Sequence, residues 1–307
     1  MRTTLLLLLV AFLASIPFLG SSYLPTFFII LFMNLILASS YDIVGGYLGY
    51  VNLGHAVFFG LGAYTFGITW NAQAPLGVAF VCAVAAAVIF AALMAYPFFR
   101  LHGAYFSLGT FGLIRLFELL AFNFGSLTGG SGGLSVPSSY RLLPTFYTTL
   151  ILALLTLAIV YKIAKSRLGL AFVSIREDEK VARDFGVPVL RYQTLALMLS
   201  ASIAGLMGAV YTWYIIYINP EAVFGTEMAL LPVAMAMLGG TGAIAGPVIG
   251  AVFISIVEEF LWTKLPYLHL AAYGLVIAGV GLFMPGGIVR VPFIEARLRW
   301  LGLVEDL

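Results

Sequence analysis

From Leu5 onward the chain repeats one pattern: a long apolar run, a short polar or glycine-rich break, and another apolar run. The runs fall at approximately 4–20, 25–41, 47–69, 75–98, 104–123, 145–164, 191–217, 227–240, 244–263 and 268–289. A helix needs about 20 apolar residues to cross the hydrocarbon core. A transmembrane barrel would show short segments of alternating polarity instead. The pattern predicts an all-α polytopic membrane protein with eight to ten transmembrane helices. Glycines interrupt 47–69, and 227–240 is short, so these two runs set the lower figure.

The longest polar interruptions are 124–143, 165–190 and 290–307. Independent domains run from about 50 residues upward, so none of the three holds a core of its own. A single membrane domain over 1–307 is expected, with 165–190 and the tail 290–307 lying on one side. Lys162, Lys165, Arg167, Arg176, Lys180, Arg183 and Arg191 cluster around the first of these, and Arg290, Arg297 and Arg299 lie in the tail. Basic residues in short loops mark the cytoplasmic side. Arg2 and Arg100 agree with that assignment, while Glu221, Glu227 and a lone Arg141 fall on the opposite side. Ten spans then alternate with both termini cytoplasmic. Arg2, the apolar run behind it and Gly20-Ser21-Ser22 also fit a signal peptide. The run is long and the next span comes at once, so a first transmembrane helix is the reading.

Composition agrees: 62% of the 307 residues are hydrophobic and 9% charged, against about 45–50% and about 25% in soluble domains. The net charge of +2 carries little information. Cys82 is the one cysteine, which excludes an internal disulfide and a cysteine metal cluster. His55, His102 and His269 are far apart, so no metal site is expected. A phosphate-binding loop requires a Gly-Lys pair, and no lysine here follows a glycine. No nucleotide, cofactor or nucleic acid is expected to bind this chain, and no catalytic motif is present; it does not read as an enzyme.

Two glycine-rich breaks echo each other. "GGYLGYVNLGHAVFFGLGAY" starts at Gly45 and "GGTGAIAGPVIGAVFISI" at Gly239. Paired interrupted segments mark an inverted repeat and a substrate path in many transporters. Asn52, Gly54, His55, Gly239 and Gly240 are therefore candidate pathway residues, with an interhelical hydrogen bond as the structural alternative for His55. Gly242, Gly246 and Gly250 recur every fourth residue, a small face that lets helices approach closely. Arg115 and Glu118 stand at i,i+3, where they can pair. Asp42 is expected at the inner boundary, and Glu258 and Glu259 near the outer end of their run.

The strongest departure from the oily background is "SIREDEKVARDF", Ser174–Phe185, with seven charged residues in twelve. Ser174 and Glu177 read as a capping box, Glu179 and Arg183 as an i,i+4 pair, Gly186 as a left-handed C′ residue and Pro188 as a stop. One helix over 175–185 is expected, with Ile175, Val181, Ala182 and Phe185 on one side and Asp178 intruding among them.

Together with the next apolar run, this stretch reads "SIREDEKVARDFGVPVLRYQTLALMLSASIAGLMGAVYTWYI". It resembles the cytoplasmic loop and adjoining span of permease subunits of branched-chain amino acid ABC importers. "YDIVGGYLGYVNLGHAVFFGLGAY", "GSLTGGSGGL" and "LPVAMAMLGGTGAIAGPVIGA" are similar to three further motifs of that family, in the same order. The match favours its M-type permease and covers nearly the whole chain. The resemblance implies a bacterial or archaeal plasma-membrane location and several partners. These are two ATP-binding-cassette ATPases that carry the ATP and magnesium, a homologous second permease, and a periplasmic or extracellular solute-binding protein. It also implies that 175–186 is the coupling helix seated in an ATPase cleft, with Glu177, Glu179, Lys180, Ala182, Arg183, Asp184 and Gly186 as its coupling residues. Many importer permeases read Glu-Ala-Ala-x-x-x-Gly there; here Lys180 stands at the Glu position, while Ala182 and Gly186 remain. The alternatives are an ion-gradient-driven transporter, for which Arg115 and Glu118 would be the titratable pair, and a channel.

Overall fold

The structure is a computed structural model that describes residues 2–18, 20, 22–137, 141–264, 274 and 287–290. The described chain is helical apart from its connections and one pair of two-residue strands. In chain order the helices are α1 (Arg2–Ser15), α2 (Tyr23–Asp42, continued as a π-turn over Ile43–Tyr47), α3 (His55–Asn71), α4 (Leu76–Phe98), α5 (Ala104–Asn123) and the single turn α6 (Gly125–Thr128). They continue with α7 (Leu142–Ala164), α8 (Arg167–Glu177), α9 (Glu179–Asp184), α10 (Val189–Ile215), α11 (Pro220–Phe224), α12 (Thr226–Gly239) and α13 (Ala245–Lys264). The strands β1 (Leu134–Ser135) and β2 (Tyr217–Ile218) pair antiparallel, Leu134 opposite Ile218.

Six described stretches are long and apolar enough to cross a membrane: Tyr23–Tyr47, Leu76–Phe98, Ala104–Asn123, Leu142–Ala164, Val189–Ile215 and Pro220–Gly239. The chain is a multi-pass helical membrane protein. Six is fewer than the eight to ten expected. α1 and α3, with 14 and 17 residues, are shorter than the about 20 a span requires. The run 268–289 lies outside the described residues except at 274 and 287–289. The run expected over 47–69 breaks at 48–54, and only His55–Asn71 is helix. The run 227–240 is the longer half of a helix interrupted at Gly225, where the backbone turns extended between α11 and α12.

α10 is the central post, packed on α3, α4, α2 and α7. Small residues set these contacts. Ala79, Ala83, Ala87, Ala91 and Ala95 recur every fourth position of α4 and are all at most 1% exposed. Val78, Val81, Ile89 and Leu93 on its other face are exposed. In lipid, apolar surface gives helices no reason to associate, so close packing of small faces does the work. A Cβ added at Gly205 of α10 would meet the Ala87 methyl at 2.6 Å. One added at Gly62 of α3 or Gly208 of α10 would run into the Gly205 or Phe59 carbonyl.

Candidate functional site

The charged segment is not one helix. α8 begins earlier, at Arg167, where Ser166 caps it by accepting from Leu168 N. Ser174 lies inside α8, its hydroxyl donating to the Ala171 carbonyl at 2.9 Å, so the expected capping box does not form. Asp178 breaks the helix. Its backbone is extended, and its carboxylate accepts from Lys180 N at 2.8 Å and Val181 N at 3.0 Å. A short acceptor at an N-cap satisfies orphan backbone donors in this way, which is why the acid that interrupts the apolar side becomes the elbow. The expected single apolar side splits accordingly. Ile175 and Ala182 are buried, while Val181 and Phe185 are 48% and 86% exposed. Gly186 ends α9 with a φ of +84°, and its N–H and that of Val187 donate to the Arg183 and Ala182 carbonyls.

Two side chains bind this elbow to the bundle. Glu179 accepts from Tyr50 Oη at 2.7 Å and from Gln193 Nε2 at 3.4 Å, and pairs with Arg183 at 2.7 Å. The exposed His102, in the α4–α5 turn, stands 3.9 Å away. Glu179 thus joins α9 to the loop before α3 and the start of α10. Burial first, and then the hydrogen bond to Glu179, push the Tyr50 phenol above its ordinary pKa, so it stays protonated and donating at neutral pH. Arg176 holds Glu177 through Nε and Nη2 at 3.2 and 3.0 Å, and its Nη1 donates to the Gly46 carbonyl at 3.1 Å. Gly49, with a φ of +80°, leaves the room: a Cβ there would meet Arg176 Cγ at 2.6 Å. Lys180 and Asp184 are exposed. Between the elbow, the 48–51 loop and the 99–107 turn lies an open cavity of about 920 Å³.

Behind Gly46 the two glycine-rich breaks meet. The fully buried Asp42 accepts from Gly242 N through both oxygens, at 3.0 and 3.2 Å. A Cβ at Gly46 would run into both Asp42 and Gly242 N. Gly240 and Gly242 turn the chain from α12 to α13 with φ of +115° and +76°. Gly242 therefore serves the turn, outside α13. Gly239, Gly246 and Gly250 form the seam: a Cβ at each would strike the carbonyl of Gly246, Gly240 and Met235 respectively.

Asn52, Gly54 and His55 lie at the start of α3, all buried. Asn52 Oδ1 accepts from Gly54 N at 3.0 Å, and its Nδ2 is buried with no acceptor among the described residues. His55 Nε2 lies 3.0 Å from Ser40 Oγ and Nδ1 lies 3.4 Å from Ser200 Oγ. The Ser40 and Ser200 hydroxyls also reach the Leu37 and Ser40 carbonyls. A neutral imidazole donates from one ring nitrogen and accepts at the other, and a hydroxyl can serve either. His55 ties α2, α3 and α10 together. His55→Ala should destabilise the fold by about 2–5 kcal/mol, the range for a large buried side chain replaced by alanine. The check is the thermal unfolding midpoint in detergent, and an unchanged midpoint would contradict the clamp.

Arg115 and Glu118 pair at 2.5 Å, and Arg115 also reaches Thr226 Oγ1 at 2.7 Å. At the far end Tyr23 donates to Glu259. Among the described residues no three His, Cys, Asp or Glu side chains converge as a metal site would need. Sequence reasoning missed Tyr50, Arg176, Asp178 and Gln193, and placed Asp42 only at a boundary. A glutamine just inside the apolar run of α10 was the one visible hint.

A family model described as "Branched-chain amino acid transport system / permease component" matches residues 24–284. The LivM permease protein of the high-affinity branched-chain amino acid transport system of Salmonella typhimurium is 26% identical over 299 residues, covering 86% of this chain and 69% of LivM. LivH, a high-affinity branched-chain amino acid transport system permease protein of the same organism, is 26% identical over 288 residues, covering 85% of this chain and 92% of LivH. LsrC of Salmonella choleraesuis, an autoinducer 2 import system permease protein, is 30% identical over 196 residues, covering 58% of this chain and 53% of LsrC. No solved structure matches the chain. With the family model spanning most of a multi-pass helical chain, this protein belongs to the permease components of branched-chain amino acid transport systems.

Proposed function

We propose that this chain forms half of the membrane pathway of an ATP-driven importer in a bacterial or archaeal plasma membrane. It passes branched-chain amino acids, or related small polar solutes such as urea or short amides. A second, homologous permease completes the pathway. A solute-binding protein delivers solute from outside, and two ATPases, which carry the ATP and magnesium, drive the cycle from the cytoplasm. The α8–α9 end of the bundle faces the cytoplasm, and α9 is the coupling helix.

One observation carries the reading. The elbow presents Val181, Phe185, Lys180, Arg183 and Asp184 outward, while Glu179 and Arg176 fasten it inward to the starts of α3 and α10 and to the end of α2. An exposed Phe flanked by opposite charges suits a protein cleft, and alternating acids and bases suit a lipid surface poorly. The two glycine breaks meeting at Asp42 are consistent with an inverted repeat around a solute path.

The test is affinity purification of the chain from its native membrane in mild detergent, with mass spectrometry of what accompanies it. Arg183→Glu with Asp184→Lys should lose at least about 10-fold of the co-purifying ATPase while the second permease stays, since reversed charges in a contact oppose the partner's own. Unchanged ATPase recovery in that variant would remove α9 from the docking surface. A chain that purifies alone and still moves solute in liposomes would end the ATP-driven reading.

A further inference from the structure

A cavity of about 350 Å³ lies between α2, α7 and α10, at the end of the bundle opposite α8 and α9. That volume falls in the range of small-ligand pockets, about 300–1,000 Å³. Ile29 and Met33 of α2, Thr145 and Thr149 of α7, and Met207 and Val210 of α10 line it. Thr26, Tyr214 and Ile215 complete its outer end, each within a turn of a helix terminus. By about 1.5 Å of rise per residue, Met33 lies roughly 10 Å deeper than Thr26, and Met207 roughly 12 Å deeper than Ile215. The cavity is therefore a slot that starts near a membrane face and runs inward between three spans.

The lining says what fits. Among the described residues it holds no charged side chain, no glycine and no alanine. The helix seams of this protein are built the other way, from the α4 alanines and the α12–α13 glycines. Helices in lipid associate through such small faces, so a lining of isoleucine, methionine and valine is a poor seat for another helix. Flexible methionines adapt to a flexible apolar chain. Thr145 is the polar exception. Thr26 and Thr149 donate their hydroxyls to carbonyls of their own helices or caps, Ser22 at 2.9 Å and Thr145 at 3.0 Å. The Thr145 side chain is fully buried, and its Oγ1 has no partner among the described residues. A buried hydroxyl left unpaired is costly, so the occupant should bring it one acceptor. Arg141 stands exposed about one turn further out, just before α7. Apolar floor, hydroxyl donor and cation thus follow one another outward. A phospholipid carries its acyl chain, ester carbonyl and phosphate in that same order. A free fatty acid would instead bring a carboxylate to a lining without a cation.

We propose that this cavity is a binding site for one acyl chain of a membrane phospholipid. The Thr145 hydroxyl donates to the ester carbonyl, and the headgroup lies on the Arg141 side. The acyl chain fills the space between the central post α10 and its neighbours α2 and α7. The site needs only a membrane-spanning bundle, so it stands apart from the ATP-driven reading.

The experiment uses the full chain, extracted in mild detergent with whatever chains accompany it. The probe is a phosphatidylcholine carrying a diazirine near the end of one acyl chain. After illumination, mass spectrometry should find the label on peptides around Met33 and Met207. Unlabelled phosphatidylcholine in excess should suppress it, and the same excess of palmitate should not. Met33→Trp fills the floor from a half-buried position and should cut labelling there at least about 10-fold, because the slot is then overpacked. Thr145→Val keeps the shape without the hydroxyl, and retention should fall about 5–10-fold for the one hydrogen bond lost. Leu93→Trp, on the exposed face of α4, is the control and should change nothing. Labelling of α4 around Val81 and Leu93 as strong as that at Met33 and Met207 would make the lipid a general coat and overturn the site. Unchanged labelling in Thr145→Val would also overturn it, and that variant decides the matter if Met33→Trp does not fold. Palmitate competing as well as phosphatidylcholine would overturn the ester assignment, and a label on a second permease in place of Met33 and Met207 would put a helix in the slot. A labelled slot in a chain that purifies without ATPases would sink the importer reading and leave the lipid site standing.

Discussion

Gly246→Val should yield a permease that no longer folds stably. The seam between α12 and α13 is backbone against backbone: the position a Cβ would take at Gly246 is filled by the Gly240 carbonyl, at Gly250 by that of Met235, and at Gly239 by that of Gly246 itself. None of these neighbours is the movable end of a side chain. Any substituent must push two helices apart, and the Gly240–Gly242 turn with them. That turn carries the Gly242 N–H onto the buried Asp42, so displacement also strips a buried carboxylate of its donor. Inserting atoms into a packed core costs about 1–3 kcal/mol, and a buried carboxylate losing its hydrogen bond adds about 1–3 kcal/mol. Gly246→Ala should lower the unfolding midpoint measurably, and Gly246→Val should remove the folded protein. Gly77→Ala is the control. Nothing lies within 4 Å of its added methyl, and alanine favours helix over glycine by roughly 0.5–1 kcal/mol. Its midpoint should hold or rise. Equal stability of Gly246→Val and wild type would refute the seam.

The uninterrupted helices were legible from the sequence because one physical requirement defines them. Runs expected at 75–98 and 104–123 appear as Leu76–Phe98 and Ala104–Asn123. Each starts after a helix-compatible break and stays apolar nearly throughout. Legibility failed where the backbone departs from regular helix. The run over 47–69 hides the π-turn at Ile43–Tyr47 and the irregular stretch before His55. Polar groups there are satisfied by Arg176, Ser40 and Ser200, more than a hundred residues away in two of the three cases. In the charged segment two competing caps were present, Ser174 and Asp178. The apolar turns from Gly169 to Phe172 decide between them, because burying Gly169, Ala171 and Phe172 starts α8 early and leaves Ser174 inside it. The Glu179–Arg183 pair was readable, since i,i+4 spacing is local. That Glu179 also holds Tyr50 and Gln193 was not, because only the fold brings Tyr50 beside it.

With α9 as the proposed coupling helix, Glu179→Gln should leave ATPase subunits bound and cut solute transport at least about 10-fold, the equivalent of about 1.4 kcal/mol. The exposed residues Val181, Phe185, Lys180 and Asp184 stay in place because Asp178 and Gly186 fix α9 at both ends independently of Glu179. What changes is the inward link. The carboxylate has a 19% exposed side chain and accepts from Tyr50 and Gln193 while holding Arg183. An amide keeps the shape, but its one carbonyl oxygen cannot serve all three donors, and its N–H groups face other donors. Hydrogen bonds to a charged group are worth about 1.5–3 kcal/mol. Their loss lets α9 move without carrying the starts of α3 and α10. Tyr50→Phe removes one of the same bonds and should lower transport by less. The double variant should be no worse than Glu179→Gln alone, because the two changes break one interaction. ATPase recovery on purification and ATP-driven uptake, measured on one preparation, separate binding from coupling. Loss of both together would place Glu179 in the docking surface. Wild-type uptake in Glu179→Gln would mean that ATPase closure enters the bundle through Arg176 and the Gly46 carbonyl, the other tie between the elbow and the end of α2.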